Sequence, residues 1–550
     1  MTFTFKNKVS PFDLIFFGFL ALVLLAFNNY ISLWDQDEAA YAGFAKRIFE
    51  GKDWIIPDFT WSNIHRKPPL HFWLMALSYK LFGINTFAVR FFSAVAVWLS
   101  IFLIRFKGKK LLGDRSSLLA AMFMAGNVFI LMLGKMAVTD GLLLFFYTWA
   151  GLSLADYLIK NRKIALVSFY LSVALGMLVK GPPILLWAGF LWLLLILFFP
   201  DKKSVIRTHP WFFGILALLP FGIWIFAVWQ QNPGFVRWWT DWYILKRTHS
   251  AVLGQTGPPG SYFILFFLFG LAYLPLVWLV FKFIWKYLKI NDKTIRFLIL
   301  WFIAGWLPYE FLPSKLPAYV LAAYPAGALL FGVAAEKVMQ REWKIDLRIP
   351  LIVQWIIFAG LSIAVPFIYS FKPFPIPERS SVVFFMLFLL LIGVVFLTVW
   401  AMKTHEKGYS SHVLVILLFS GIWWSAGLLT LVLPLAESYK NATFRVAKTI
   451  ENRNKNAGKI IVLNHYAHPP SLIFYLEKYH PSSQIIVPEN PDNFFEEKPL
   501  FSPGAVYILS RAQWENLPED VRRKLQAFPV SGISTGSVGK NDYVIIFPND

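Results

Sequence analysis

Runs of about 17 to 22 apolar residues, separated by short polar stretches, recur from Pro11 to about Leu435. As a helix, each is long enough to cross the roughly 30 Å hydrocarbon core of a bilayer. One segment breaks the pattern. PPLHFWLMALSYKLFG (68–83) is apolar over only about 14 residues and carries Lys80 near its end. That length fits a helix lying flat at the membrane–water boundary. Beyond Leu435 the character changes. KIIVLN, QIIVP, AVYILS and DYVIIF predict short strands, and SLIFYLEKY and EDVRRKLQAF predict helices. The pattern predicts a polytopic α-helical membrane protein with about 13 transmembrane helices over 1–436. A small α/β soluble domain is expected over 437–550.

Charge sets the orientation. Lys6/Lys8 precede the first span, and Lys107/Lys109/Lys110/Arg115, Lys160/Arg162/Lys163 and Lys202/Lys203/Arg207 follow alternate spans after it. The Lys282–Arg296, Lys337–Arg348 and Lys403/Lys407 clusters continue the series. Placed in the cytoplasm, they put the N-terminus inside and the C-terminal domain in the periplasm, as expected of a multi-pass protein of the bacterial inner membrane. This works only if 68–83 does not cross, so 30–85 becomes one long external loop with interfacial helices. The net charge of +21 is therefore an orientation signal, and nucleic acid is not implied as a partner. The chain has no Cys, which excludes disulfides, Cys-ligated zinc and thiol catalysis. Lys6 and Lys8 before an apolar stretch resemble a signal peptide without a small-residue cleavage site, so the first span is expected to stay uncleaved.

With that topology a set of polar residues gathers at the outer ends of spans. Asp35, Asp37 and Glu38 follow the first span, with Tyr41 just beyond. Arg66 and Lys67 precede Pro68-Pro69 in the same loop. Asp140 opens the fourth span and Lys180 closes the fifth. Arg247 and His249 lie in a Trp-rich loop, and Glu310, Lys315 and Tyr319 in YEFLPSKLPAY. Ionisable groups at membrane depth commonly line a cavity or pair with one another, which points to one outward-facing site. Each also has a plain structural reading. Lys180 and Lys315 taken singly suit snorkelling anchors, Asp140 suits a helix N-cap, and the aromatics of FVRWWTDWYI suit an interfacial belt. An acid near Asp37 would stabilise the first turn of a helix, yet that explains one carboxylate and not three. His249 would need His65 or His71 to hold a metal, and no spacing requires it. No cofactor is implied, and a divalent metal has no support from spacing. The C-terminal domain lacks a glycine-rich phosphate loop.

The motifs WDQDEAAYA, GKDWIIP, HRKPPLHFWLMALSYKLFG, TDGLLLFF, MLVKGPP and LPSKLPAYVLAAYPAGALL, in this order, resemble the bacterial aminoarabinose (lipid A) transferases and their relatives. These are glycosyltransferase C superfamily enzymes related to the protein O-mannosyltransferases. The resemblance covers 10–435 and is densest over 30–190. It implies a glycosyltransferase C fold and inverting transfer of a sugar from a polyprenyl-phosphate donor in the outer leaflet to a lipid or protein acceptor. The family's first-loop Asp falls on Asp37, its Lys-Pro lysine on Lys67, its span-four acid on Asp140 and its Lys-Gly lysine on Lys180. This chain has Arg66 where such enzymes commonly carry Glu.

The chemistry is consistent on its own terms. A phosphate monoester titrates near pH 6, so a departing polyprenyl phosphate needs cations rather than a general acid. Lys67, Arg66 and Lys180 would supply them in a partly dehydrated cavity. Asp37, with Glu38 and Asp140 as further catalytic candidates, would serve as a general base or as an orienting and charge-stabilising group. Asp35, Tyr41, Arg247, His249, Glu310, Lys315 and Tyr319 form a weaker set lining the substrate cavity. The expected partners are a polyprenyl-phosphate sugar resembling undecaprenyl-phosphate aminoarabinose, lipid A or lipopolysaccharide core as acceptor, and membrane lipids. A protein O-mannosyltransferase and a core uronic-acid transferase stay open. A transporter or flippase would place its charges near the bilayer midplane in repeated halves, and no internal repeat is present.

Overall fold

The computed structural model describes residues 10–33, 37–52, 54–56, 67–241, 256–371, 381–437, 442–454, 457–463, 470–488, 504–523, 525–533 and 540–548. The chain forms two compact units. One takes in Met1–Ala26, Lys67–His71 and Arg90–Val432, and the other Phe27–Arg66, Phe72–Val89 and Leu433–Asp550.

The first unit is helical. Among the described residues, seven helices are long and apolar enough to cross a membrane: Thr86–Leu112, Thr139–Lys160, Lys163–Lys180, Lys202–Gln231, Arg348–Phe371, Ser381–Glu406 and Ser410–Ala436. Two further spans are bent pairs. Asp114–Ala125 meets Val128–Gly134 at 73°, and Ser261–Phe269 meets Leu271–Tyr287 at 70°. At the first bend Asn127 restarts the helix, its side chain accepting from the Ile130 amide. Pro11–Leu25 and Pro183–Phe198 are shorter apolar helices.

Small residues and one buried ion-pair network hold this unit together. A Cβ on Gly332 would stand 2.1 Å from the carbonyl oxygen of Ser116, so the Ala323–Met339 helix approaches Asp114–Ala125 backbone to backbone. Ser10 and Asp13 form a capping box at the start of Pro11–Leu25. The same Asp13 accepts from Arg105 Nε at 2.7 Å, while Arg105 Nη2 reaches Asp114 at 2.9 Å. Asp13 and Arg105 are almost fully enclosed. A fork of donors shared between two carboxylates keeps that buried charge partnered.

The second unit joins the first loop to the C-terminal domain. Its sheet runs β2-β1-β3-β5-β4, with β1 Lys459–Val462, β2 Gln484–Ile486, β3 Ala505–Ser510, β4 Gln526–Ile533 and β5 Lys540–Phe547. β1 pairs in parallel with β2 and β3, while β5 runs antiparallel to β3 and β4. The four expected strands are present, as is the helix at Pro470–Tyr479. The expected helix over 519–528 is corrected: it ends at Arg523, and Gln526 already belongs to β4. β4 carries Pro529, which an edge strand tolerates because one side of it needs no ladder partner.

The segment expected to lie flat forms the helix Leu70–Phe82 of 13 residues. At 1.5 Å per residue it is about 20 Å long, too short to cross. It leaves Leu77, Leu81 and Phe82 exposed. The first-loop helix Asp37–Phe49 packs on Phe72 through Tyr41 and Phe44, with ring centroids 5.4 and 5.3 Å apart. Tyr79 donates to the Ala42 carbonyl at 3.1 Å. To the C-terminal domain, the Leu33 amide donates to the Tyr475 hydroxyl at 3.1 Å, and Lys46 pairs with Glu477.

Candidate active site

The Thr139–Lys160 and Lys163–Lys180 helices form a tight antiparallel hairpin, so the start of the first lies beside the end of the second. Asp140 is in the first helical turn, and the N-cap is Val138, which makes no side-chain cap. Asp140 therefore does not cap its helix. Its carboxylate instead accepts from Lys180 Nζ at 2.5 Å, with both side chains 13% exposed. The placement is favoured twice over, by the acid at a helix N-terminus and by the cation at a helix C-terminus. Lys180 is followed by Gly181 at φ +84°, a left-handed position that glycine adopts without strain, and Pro183 opens the next helix.

Two buried tyrosines extend this pair. Tyr147, on the same helix as Asp140, lies near Tyr309, whose hydroxyl donates to the Pro183 carbonyl at 3.4 Å. The Tyr309 ring lies 6.0 Å from that of Tyr319. Lys315 donates to the carbonyls of Tyr309 (2.9 Å) and Glu310 (2.6 Å), closing the C-terminus of the Lys293–Glu310 helix. Its ammonium stands 5.2 Å from the Tyr262 ring. Burial lowers the Lys315 pKa, and the nearby Glu310 opposes that shift. Glu310 is bound to the chain's own backbone. It accepts from the Gly260 amide at 2.8 Å, the Phe263 amide at 3.2 Å and Trp306 Nε1 at 2.7 Å, so it caps the start of Ser261–Phe269.

Lys67 is in the same unit, 8% exposed, and is followed by buried Pro68 and Pro69. His71, four residues on, contacts the Ala137 carbonyl through Nε2 at 3.1 Å. That contact ties the Lys67 segment to the turn leading into Asp140. Buried Lys135, in this turn, donates to the Ala26 carbonyl and feels the like charge of Arg90. Asp140, Lys180, Glu310, Lys315 and Tyr319 thus gather in one unit, with Lys67 tethered to the same turn. Sequence reasoning missed Arg90, Lys135, Tyr147 and Tyr309. The first two carry a legible signal, being cations next to long apolar runs.

The first-loop acids are in the other unit. Asp37 opens the Asp37–Phe49 helix and is exposed, and Glu38 is fully buried. The helix begins where first-turn carboxylates stabilise it, so that structural reading holds for both. Burial, with Glu38 adding to it, pushes the Tyr79 hydroxyl well above its ordinary pKa. Tyr41 is buried against Phe72. Asp35, Arg66, Arg247 and His249 lie outside the described residues. Among the described residues, no three His, Asp or Glu gather as a metal ion would require.

Residues 66–226 match the family described as dolichyl-phosphate-mannose-protein mannosyltransferase. An undecaprenyl phosphate-alpha-4-amino-4-deoxy-L-arabinose arabinosyl transferase of Pseudomonas savastanoi pv. phaseolicola is 28% identical over 434 residues, 76% of this chain and 77% of that protein. Its counterpart from Wigglesworthia glossinidia brevipalpis is 25% identical over 375 residues, 66% of this chain and 65% of that protein. The fold resembles the crystal structure of ArnT from Cupriavidus metallidurans bound to undecaprenyl phosphate, at TM-score 0.73 and 17% identity, over 98% of both chains. The fold is thus that of the glycosyltransferase C enzymes, and the chain is a membrane glycosyltransferase. Its likeness is to the aminoarabinose transferases, as the order of its motifs implies.

Proposed function

We propose that this enzyme transfers a sugar from a polyprenyl-phosphate donor, resembling undecaprenyl-phosphate aminoarabinose, to lipid A or lipopolysaccharide core on the outer face of the bacterial inner membrane. The observation that carries the proposal is the gathering of Asp140 and Lys180 on one hairpin mouth, tied through His71 and Ala137 to the segment bearing Lys67. The relatives' names supply the sugar and the lipid carrier. In this reading thirteen helices cross: the seven long ones, each bent pair counted once, Pro11–Leu25, Pro183–Phe198, Lys293–Glu310 and Ala323–Met339. The N-terminus is cytoplasmic, 1–436 is the catalytic membrane domain and 437–550 is a periplasmic α/β domain.

Inverting transfer breaks the anomeric C–O bond as the acceptor oxygen attacks the opposite face of the ring. The electron pair leaves on the polyprenyl phosphate. Lys67, with Arg66, neutralises that phosphate, and low water content strengthens the effect. Lys180 is held by Asp140, so it acts on the phosphate while Asp140 fixes its position. Asp37 takes the proton of a hydroxyl acceptor; where the acceptor is a phosphate it orients the acceptor instead.

A second reading, transfer of mannose to protein, is favoured by the family match over 66–226. Mass spectrometry of lipid A and of periplasmic proteins from cells with and without the gene separates the two. A sugar increment on lipid A that requires the gene supports the first reading. An increment confined to protein overturns it.

A further inference from the structure

An open groove of about 760 Å³ lies within the second unit. One wall is the C-terminal end of the Asp37–Phe49 helix and the turn after it, and the other is the end of Pro470–Tyr479 with the turn into β2. Four cations face it: Lys46, Arg47, Lys52 and Lys478. Two carboxylates answer the first three. Glu477 pairs with Lys46 and with Arg47 at 3.8 Å, and Glu50 lies 3.4, 3.5 and 3.9 Å from Lys46, Arg47 and Lys52. Among the described residues no carboxylate lies within ion-pair distance of Lys478. Its pKa is lowered by burial and then by the like charge of Lys448, so an anion would relieve it.

One residue lining the groove also carries an unsatisfied polar atom. His480 is 1% exposed and lines it. Its Nε2 is 3.2 Å from the Ala447 carbonyl, which can only accept, so Nε2 carries the proton. Nδ1 is then a bare acceptor, and among the described residues nothing donates to it. Leaving such an atom buried without a donor is destabilising. Phosphate oxygens cannot donate to Nδ1 when ionised, but an adjacent hydroxyl can. Ile84 lines the same groove and follows exposed Leu81 and Phe82, and exposed Phe49 adjoins Glu50. A basic groove bordered by exposed apolar side chains suits a ligand at headgroup depth whose chains enter the hydrocarbon.

We propose that this groove binds the phosphate-bearing, hydroxylated headgroup of a membrane phospholipid. The phosphate sits among Lys478, Lys52 and the Lys46–Arg47 edge, and the hydroxyl donates to His480 Nδ1. The site does not depend on the sugar-transfer reading.

The test uses the full chain in a zwitterionic detergent and four short-chain or soluble probes. These are dihexanoyl phosphatidylglycerol, dihexanoyl phosphatidylcholine, dihexanoyl phosphatidylmethanol, which lacks the hydroxyl, and glycerol 1-phosphate. Binding is read by phosphorus NMR line broadening. Phosphatidylglycerol is expected to bind about tenfold more tightly than phosphatidylcholine, and Lys478→Glu to remove that preference. Phosphatidylmethanol is expected to bind several-fold more weakly than phosphatidylglycerol in the wild type and equally in His480→Phe. Should either variant fail to fold, Lys52→Glu, at an exposed position, must still weaken phosphatidylglycerol binding by several-fold. Equal affinity for the glycerol and choline lipids overturns the proposal, as does indifference to Lys478→Glu and Lys52→Glu. Glycerol 1-phosphate binding as tightly as phosphatidylglycerol overturns the lipid as the source of the headgroup.

Discussion

Asp140 and Lys180 pair at 2.5 Å with both side chains 13% exposed, so removing Lys180 takes away the partner of the Asp140 carboxylate. Two unit charges about 4 Å apart interact by roughly 4 kcal/mol at an effective dielectric near 20. Breaking a buried pair from one side costs about 3–5 kcal/mol, whereas replacing both members is often close to neutral. We therefore expect Lys180→Met and Asp140→Asn each to destabilise the protein. The double variant should come back to within about 1 kcal/mol of wild type, a coupling of at least 2 kcal/mol. The 24 tryptophans give a strong fluorescence signal for unfolding in a dodecyl sulfate titration. Transfer assays on the same proteins divide structure from function. The double variant, though stable, should have lost at least about 100-fold in rate if Lys180 faces the donor phosphate as proposed. Additive single effects, with coupling below about 0.5 kcal/mol, would refute the pairing argument. Wild-type transfer by a stable double variant would reduce the pair to scaffolding.

Asp37→Asn should insert and fold normally yet lose about 10²–10⁴-fold in transfer, read by product formation at saturating donor; full activity would remove Asp37 from the site. Lys67→Ala should raise the KM for donor by about 10–100-fold, the worth of a charge-assisted hydrogen bond, and a donor titration showing no change would exclude Lys67. Glu310→Gln should cost about 1–2 kcal/mol of stability by weakening the cap on Ser261–Phe269 while leaving transfer per folded molecule close to wild type. Loss of transfer without loss of stability would instead give Glu310 a substrate contact. Gly332→Val should cost about 1–3 kcal/mol in the same unfolding titration, since its Cβ meets Ser116 oxygen at 2.1 Å.

The apolar runs announced nearly every membrane helix, because helix length is set by bilayer thickness and little else. Their bends were not legible. Asn127 and Gly270 are unremarkable in an apolar run until the neighbouring helices are present. The short Leu70–Phe82 helix was readable because length alone decided it. β4 escaped because Pro529 and Gly532 break its pattern, and only its place at the sheet edge excuses them. The Asp140–Lys180 pair was within reach. A two-residue connection between antiparallel helices forces the first turn of one beside the last turn of the next. Glu310 was not within reach, since its cap partners lie 50 and 47 residues earlier on another helix. The link from the first loop to the C-terminal domain was equally hidden, as it depends on Glu477 meeting Lys46 and Arg47.

Lipid A modification is tested with purified protein, a labelled polyprenyl-phosphate aminoarabinose donor and extracted lipid A. The account predicts label on lipid A with release of one polyprenyl phosphate per sugar transferred, and inversion at the anomeric carbon. Absence of label on lipid A with this donor and with other polyprenyl-phosphate sugars, from protein that remains folded, would contradict it.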